Sequence, residues 1–235
     1  MQEVIENIPL EKLKPFPNHP FKIREDEAMM ETAESVKSFG VLQPAIVRLT
    51  KDGEYEILSG HRRKRACELA GRKTMPAIVR ELSDDAAVIF MVDSNLQREN
   101  ILPSERAAAY KMKLEAMKRQ GMRTDLTSPQ VAPKLRSDDQ VAKESNISGD
   151  TLRRYIRLTE LQPELIKMVD EKKIAFTPAV ELSYLKPDEQ RMLIDTIESE
   201  QSTPSLSQAQ RMKKLSQNGE LDCDKLFSIM TELKK

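Results

Sequence analysis

The apolar residues in the first hundred positions follow strand-like and helix-like spacings in turn. Residues 44–49 and 55–58 are short, apolar and partly β-branched, and residues 51–53 between them are typical of a hairpin turn. Over residues 26–39 the apolar positions recur at helical spacing, and Gly40 follows as a stop signal. This alternation predicts a compact α+β unit.

The rest of this unit carries similar signals. A strand or loop starts near Ile8, and the prolines that follow it hold an extended, helix-free segment. Ser83 is a residue type that caps helix N-termini well. The remaining predicted elements are a helix at 61–70, a strand at 75–80 and a helix at 83–92.

From Pro103 onward the pattern is helical and no strand is predicted. A helix is expected from Ser104, as its cap, to Gly121, which ends it. The proline-containing stretch 121–136 indicates a loop. Further helices are expected at about 163–172, 177–185 and 187–199, and two short amphipathic segments follow a hinge at 202–205.

Residues 137–161 have the spacing of a helix-turn-helix. Residues 137–140 form a capping-box sequence that opens a short helix, and Asn146 can turn the chain in the left-handed conformation. A second helix is expected from Asp150 to Leu161. Together these patterns predict an α+β domain over residues 1–100, an all-α domain over 101–200 and a short helical tail over 201–235.

The overall composition excludes several classes of protein. The 38 basic and 38 acidic side chains cancel, so any DNA binding must come from local patches. Cys67 and Cys223 have neither metal-type spacing nor the pattern of a disulfide framework, which favours a reducing compartment. The chain has no signal-peptide pattern and no apolar run of membrane length, so a cytoplasmic protein is expected.

The junction at Gly60 is the strongest candidate for chemistry. A strand ending near Leu58 runs into a helix beginning near His61, and a glycine there lets a ligand approach the backbone closely. The N–H groups of a helix start favour an anion, and Arg62 and Arg63 add charged forks suited to phosphate oxygens. A solvated helix face is the ordinary alternative for such a charged run.

The order of the motifs resembles the ParB family of DNA-segregation proteins over residues 4–190. The resemblance rests on Gln43-Pro44, on the box that starts at Gly60 and continues through two arginines, and on Asn95 followed by Arg98. The predicted helix-turn-helix follows these boxes along the chain. The resemblance implies a ParB/sulfiredoxin-like α+β domain followed by a helix-turn-helix domain, in a variant typical of plasmids or conjugative elements.

The family implies a homodimer that binds CTP and Mg²⁺ and closes as a clamp around double-stranded DNA at a centromere-like site. Carried over by position, Gly60, Arg62 and Arg63 would hold the triphosphate. Asn95 would help to hold the Mg²⁺ ion as a metal ligand. The residues expected at the nucleotide are Gln43, Pro44, Gly60, His61, Arg62, Arg63, Ser94, Asn95 and Arg98.

The basic edge of the predicted recognition helix is expected to contact DNA, although a solvated face would have the same composition. Its groove-facing side is expected to be opposite Leu152, Tyr155 and Ile156, which should face the core. Two basic residues near the end of the helix predicted from Ser104 to Gly121 are expected to contact DNA phosphates. The full expected set is Gly149, Asp150, Thr151, Arg153, Arg154, Arg157, Lys118 and Arg119.

Three departures from the family pattern change what is expected. His61 and Ser94 stand where the family has glutamates beside the phosphates and metal, so CTP hydrolysis is expected to be weak at most. The given sequence begins almost directly at the first predicted strand, so the N-terminal extension that engages a ParA-type ATPase in the family is expected to be lacking, which leaves that partner open. The tail after about residue 200 is short and does not resemble the family's C-terminal dimerisation domain.

Two other classes of protein compete with this interpretation. One is a transcriptional repressor that uses only the helix-turn-helix and binds no nucleotide. The other is an ATP-using enzyme like sulfiredoxin, whose fold is related and whose box reads Gly-Cys-His-Arg. In this chain Gly60 occupies the position of that nucleophilic cysteine, which argues against such chemistry.

Overall fold

The computed structural model describes residues 4–98, 100–125 and 136–232, without the side chains of residues 122–125. The chain divides into two compact units, one of Met1–Glu99 with Met112–Ser137 and the other of Asn100–Lys111 with Asp138–Lys235. The predicted fold class, an α+β domain followed by an all-α helix-turn-helix domain, is confirmed. The predicted boundaries at residues 100 and 200 stay predictions.

A five-stranded mixed sheet forms the centre of the first unit, in the order β1-β5-β3-β4-β2. Strands β3 and β4 form the predicted antiparallel hairpin, β3 pairs in parallel with β5, and β2 pairs in parallel with β4. The strands are β1 (Ile5–Pro9), β2 (Leu13–Pro15), β3 (Ala45–Leu49), β4 (Tyr55–Ser59) and β5 (Thr74–Val79).

Two helices of the first unit are capped by a side chain at their start. Asp26 accepts a hydrogen bond from the N–H of Met29, and Ser83 accepts one from the N–H of Ala86. The helices are α1 (Glu27–Phe39), α2 (His61–Leu69), α3 (Asp84–Leu96) and the second half of α4 (Pro103–Asp125). Helices α1 and α2 pack their apolar faces on the sheet in a core that contains Met29, Val36, Val47, Ile57, Ala66 and Met75.

Three ends of helices α3 and α4 differ from the prediction, and the helix predicted from Asp150 to Leu161 ends at Arg157, where a 3₁₀ turn follows. Helix α3 continues past Val92 to Leu96, because no glycine or proline interrupts it. Helix α4 continues through Gly121 to Asp125, since one glycine inside a helix costs only about 1 kcal/mol relative to alanine. Helix α4 also begins one residue before Ser104, with Pro103 in the first position, where its missing N–H is harmless.

Ser104 is therefore not the cap of helix α4. Its backbone N–H and its hydroxyl donate to the carboxylate of Asp170 at 3.0 and 2.6 Å, within the second unit. The loop predicted after Gly121 is helical to Asp125, and its remainder at residues 126–135 lies outside the described residues.

The second unit contains helices and no strand among its described residues. Its helices are the first half of α4, then α5 (Ser137–Glu144), α6 (Gly149–Arg157), α7 (Pro163–Asp170), α8 (Phe176–Leu182), α9 (Pro187–Glu200), α10 (Leu206–Asn218) and α11 (Cys223–Thr231), with a 3₁₀ turn at Leu158–Glu160. The predicted tail helices α10 and α11 bury Met212, Leu226 and Ile229 in the same core as Leu165 and Leu193. Leu233, expected on the last apolar face, lies outside the described residues.

No described helix combines the length and the apolar character needed to cross a membrane.

Candidate functional site

Gly60 joins strand β4 to helix α2 in a conformation that side chains rarely adopt. Its φ is +117°, and a Cβ built at this position would lie 3.0 Å from the Cβ and 3.3 Å from the Cα of Ala45. Glycine is thus required both by the backbone angle and by the close approach to strand β3. Because the first N–H groups of a helix have no intrahelical acceptor, those after Gly60 are available to an anion.

A cavity of about 200 Å³ opens at this helix start. It brings together the two boxes that the sequence predicted from positions more than thirty residues apart, and it adds a segment that the sequence did not predict. The lining residues are His19, Phe21, Ile23, Ser59, Gly60, His61, Arg62, Arg63, Ser94, Asn95 and Arg98. The extended proline-rich stretch before helix α1 was the only sequence signal for the added segment.

Arg62 has an intramolecular partner at the cavity. Its Nη2 donates to Oδ1 of Asp26 at 3.2 Å, and this hydrogen bond holds the pKa of the Asp26 carboxyl below its usual range. A guanidinium carries five N–H donors, so Arg62 can keep this bond and still bind a second anion. Arg98 is exposed and lines the same cavity.

Arg63 connects the helix start to the loop before strand β3. Its Nη1 donates to the backbone carbonyl oxygens of Gln43 at 2.8 Å and Pro44 at 2.5 Å, and burial lowers the pKa of its guanidinium. Gln43 and Pro44 are not among the residues that line the cavity. They reach the site through Arg63, which therefore fixes the local backbone whatever else it contacts.

His61 is almost completely buried, with 7% of its surface exposed. Desolvation, followed by the charges of His19, Lys64 and Arg98, lowers the pKa of its imidazole to about 3. Its Nε2 accepts the backbone N–H of Phe16 at 3.3 Å. The neutral ring therefore carries its proton on Nδ1. His61 is thus packed inside the first unit, and its expected place at the nucleotide stays a prediction.

The buried imidazole makes stability depend on pH. The folded-state pKa of His61 lies below the unfolded value of about 6.5, so unfolded chains bind more protons and stability is lost as the pH falls from 6.5 toward 3. We expect His61 to account for about 2 kcal/mol of the stability lost between pH 7.5 and pH 5. Urea unfolding at both pH values should show that the free energy of unfolding falls less between pH 7.5 and pH 5 in His61→Gln than in the wild type. Equal losses in the two proteins would contradict this assignment.

Asn95 and Ser94 are held by the last turn of helix α3. The Nδ2 of Asn95 donates to the carbonyl oxygen of Met91 at 2.8 Å, and the hydroxyl of Ser94 donates to the same oxygen at 3.0 Å. The amide nitrogen of Asn95 is therefore engaged in this hydrogen bond, and its Oδ1 is the atom that can accept. Mg²⁺ binds amide oxygens of this type.

Asn95 is a candidate ligand for Mg²⁺ at the cavity. Among the described residues that line the cavity there is no aspartate or glutamate, and the described residues contain no group of three or more His, Cys, Asp or Glu side chains suited to hold a metal ion. Mg²⁺ in nucleotide sites usually keeps several waters and binds phosphate oxygens with one or two protein ligands. Asn95 fits that limited role, so the site suits an ion that arrives with a polyphosphate.

The predicted helix-turn-helix is present in the second unit as α5, a turn and α6. Asn146 adopts the left-handed conformation with φ of +54°, and Ser148 caps helix α6 by accepting the N–H of Thr151 at 3.0 Å. Leu152 is fully buried, as predicted. At Gly149 a Cβ would lie 3.1 Å from Oδ1 of Asp139, which brings the start of α6 close to α5.

The three arginines of helix α6 have different surroundings. Arg153 is 54% exposed and pairs with Asp138 of α5 at 3.2 Å. Arg154 donates to the hydroxyl of Thr177 at 3.0 Å, and its guanidinium lies over the ring of Phe176. Of these three arginines, Arg153 has the exposed side chain, and it lies near the start of helix α6.

Arg157 donates to the carbonyl oxygen of Ser183 at 2.7 Å and lies 4.3 Å from the ring centroid of Tyr184. Arg154 and Arg157 therefore brace helix α6 against helix α8 and the residues after it. Tyr155 and Ile156, predicted to face the core, are half-buried, and Tyr155 packs against the core of the second unit.

The two expected phosphate contacts on helix α4 belong to the first unit. Lys118 is exposed. Arg119 has an exposed side chain whose Nε donates at 2.7 Å to the buried carboxylate of Asp85. Lys118 therefore remains the simpler candidate for a contact with a DNA phosphate.

The chain is similar to known proteins along most of its length. Residues 1–96 match the ParB N-terminal domain family. Stage 0 sporulation protein J of Bacillus subtilis is 44% identical over 134 residues, which are 57% of this chain and 45% of that protein. Chromosome-partitioning protein Spo0J of Thermus thermophilus is 32% identical over 182 residues, which are 77% of this chain and 61% of that protein.

A solved structure is also similar. It is the C-terminally truncated chromosome-partitioning protein ParB of Caulobacter crescentus complexed to the centromeric parS site, with 25% identity and a TM-score of 0.52. The similarity covers 89% of this chain and 98% of that one. This chain spans 45% and 61% of the lengths of the two curated relatives.

Proposed function

This chain belongs to the ParB family, and on that premise we propose that it is a partition protein that binds Mg²⁺ and CTP and closes as a homodimeric clamp on DNA. The observation that carries the proposal is the convergence of the two predicted boxes on one cavity at the start of helix α2. A helix start with a glycine and three nearby arginines offers what a triphosphate requires. The protein would act in the cytoplasm, on nucleoid or plasmid DNA.

Each part of the cavity has a role in this proposal. The N–H groups after Gly60, together with Arg62 and Arg98, bind phosphate oxygens. Arg63 supports the loop at Gln43 and Pro44, and its remaining donors reach the ligand. Asn95 binds the hydrated Mg²⁺ ion that accompanies the phosphates, and that ion would offset part of their negative charge.

The helix-turn-helix reads the DNA in this proposal. Arg153 and Thr151 lie at the exposed start of helix α6, where a recognition helix presents its N-terminal residues to base edges. Arg154 and Arg157 hold that helix in place through their contacts with α8 and the residues after it. Lys118 contacts phosphate and adds affinity without adding sequence preference.

Arg153→Ala should remove sequence discrimination. An arginine that binds a guanine edge contributes about 1–3 kcal/mol, so the preference for a specific over a scrambled duplex should fall at least fivefold. The matched control is Arg191→Ala, because Arg191 is an exposed arginine in the same unit with a similar ion pair to Asp188 at 3.2 Å. Fluorescence anisotropy with a parS duplex and a scrambled one, at several salt concentrations, measures both effects.

The assignment of Arg153 as a reader would be wrong if Arg153→Ala kept the full preference of the wild type, or if Arg191→Ala lost as much. Lys118→Ala should weaken binding to both duplexes alike. The dependence of the binding constant on salt concentration should fall by about one released counterion.

The protein should hydrolyse CTP slowly. His61 and Ser94 provide no carboxylate, and among the described residues no aspartate or glutamate lines the cavity to position water and Mg²⁺ for in-line attack. Binding that is equally strong in the ground and transition states does not accelerate the reaction. Phosphate release at saturating CTP with DNA should rise at least tenfold in the double variant His61→Glu, Ser94→Glu. A double variant as slow as the wild type would show that these two positions do not limit hydrolysis.

A further inference from the structure

One side of the cavity is formed by the segment between strand β2 and helix α1. It contributes the imidazole of His19, the phenyl ring of Phe21 and the aliphatic side chain of Ile23. The phosphate-binding groups, Arg62 and Arg98, line the same cavity. One part of a ligand that filled the cavity would contact cationic donors, and another part would contact rings and apolar atoms. A nucleotide has two such parts, its phosphates on one side and its ribose and base on the other.

The segment is fastened to helix α2 by a short series of contacts that begins at His61. The backbone N–H of Phe16 donates to Nε2 of His61 at 3.3 Å. The rings of His61 and His19 lie with their centroids 3.9 Å apart, and Nδ1 of His19 is hydrogen-bonded to the carbonyl oxygen of Phe21 at 2.8 Å. Phe16 and Phe21 are themselves buried, with 6% and 2% of their surfaces exposed.

We propose that His61 is a positioning residue, whose imidazole fixes residues 16–23 as the wall that takes the ribose and base of a bound nucleotide. This inference rests on the proposed function and deepens it. His61 lies between Gly60 and the two arginines of the box, yet its ring nitrogen is bonded to the backbone of the wall. Its effect on a ligand is therefore exerted through the wall, and the phosphates are held by its neighbours.

The proposal requires an acceptor at this position and not merely a ring. The N–H of Phe16 lies in a buried contact, and a buried donor without an acceptor is costly. His61→Phe keeps an aromatic ring beside His19 but removes the acceptor. His61→Gln removes the ring but keeps a side-chain oxygen that can accept the same N–H. The two variants therefore separate the hydrogen bond from the bulk of the side chain.

The test compares two ligands that share phosphates and differ in everything else. Calorimetric titration of the full chain with Mg²⁺–CTP should show about tenfold weaker binding for His61→Phe, and binding close to that of the wild type for His61→Gln. Inorganic tripolyphosphate with Mg²⁺ has no ribose or base, so its affinity should change less than twofold in either variant. Equal weakening of CTP and tripolyphosphate would overturn the proposal, as would unchanged CTP binding in His61→Phe.

A second measurement tests the contact without any nucleotide. The amide of Phe16 should exchange its hydrogen at least tenfold faster in His61→Phe than in the wild type, and His61→Gln should restore the protection. Equal exchange in all three proteins would overturn the proposal even if CTP binds. If the wild type binds no CTP, the proposed function fails, and the exchange of this amide still decides whether His61 fixes the segment.

Discussion

Gly60→Ala is expected to destabilise the protein by about 2–4 kcal/mol, because the new side chain meets two separate obstacles. The φ of +117° is unfavourable for any residue with a Cβ, and that Cβ would lie 3.0 Å from the Cβ of Ala45 in strand β3. The strand and the helix start would have to separate, which would also displace the N–H groups proposed to bind phosphate. Urea unfolding at pH 7.5 measures the loss.

Gly53→Ala is the matched control for this substitution. Gly53 also has a positive φ, of +77°, but nothing lies within 4 Å of the position that a Cβ would take. Gly53→Ala should lower the free energy of unfolding by about 1 kcal/mol, which is the cost of the positive φ alone. A Gly60→Ala variant no less stable than Gly53→Ala would contradict the close approach between Gly60 and Ala45.

Asp93→Ala is expected to destabilise the protein by about 3 kcal/mol. The side chain of Lys113 in helix α4 is fully buried, and its Nζ donates to Oδ1 of Asp93 in helix α3 at 2.6 Å. Removal of the carboxylate takes a close negative charge away from an ammonium group that water cannot reach. Thermal and urea unfolding would both report the loss.

Asp84→Ala provides the comparison on the same helix. Asp84 pairs with Arg48 at 2.7 Å, but its side chain is 93% exposed. A pair with so exposed a carboxylate contributes about 0–1 kcal/mol, and Arg48 keeps its ion pair with Glu56 at 2.6 Å, so this variant should be close to the wild type. If the two variants lost the same stability, the burial of Lys113 would not be the cause.

Local sequence signals predicted much of the fold because they act over few residues. The cap Ser83, the hairpin at residues 51–53 and the left-handed Asn146 depend on near neighbours, and each is present. Gly121 was mispredicted as a stop because a single glycine is a weak signal inside a long helix.

The sequence predicted that the two boxes lie together, and the roles of their residues toward a ligand stay predictions. The two boxes converge on one cavity, whereas the wall at His19, Phe21 and Ile23 comes from a segment without a recognisable motif. Arg63 was expected to hold phosphate, and the structure shows it bound to the carbonyl oxygens of the loop before strand β3. Such a contact depends on how distant segments pack, which local spacing does not encode.

The proposed roles of the arginines can be separated by comparing two positions on the same helix. Arg62 lines the cavity, whereas Arg65 is not among its lining residues and pairs with Glu25 and Glu68. Loss of Arg62 should weaken nucleotide binding about 10–100-fold, since it removes charge-assisted hydrogen bonds to phosphate. Loss of Arg65 should change it less than twofold.

The most direct test of the central claim is calorimetric titration of Mg²⁺–CTP and Mg²⁺–ATP into the wild type, Arg62→Ala and Arg65→Ala, with and without a parS duplex. We predict that the wild type binds CTP more tightly than ATP, that Arg62→Ala loses this binding and that Arg65→Ala keeps it. A wild type that binds DNA but no CTP would contradict the account and favour a nucleotide-independent repressor. Equal affinity for ATP and CTP, or equal losses in the two arginine variants, would contradict it as well.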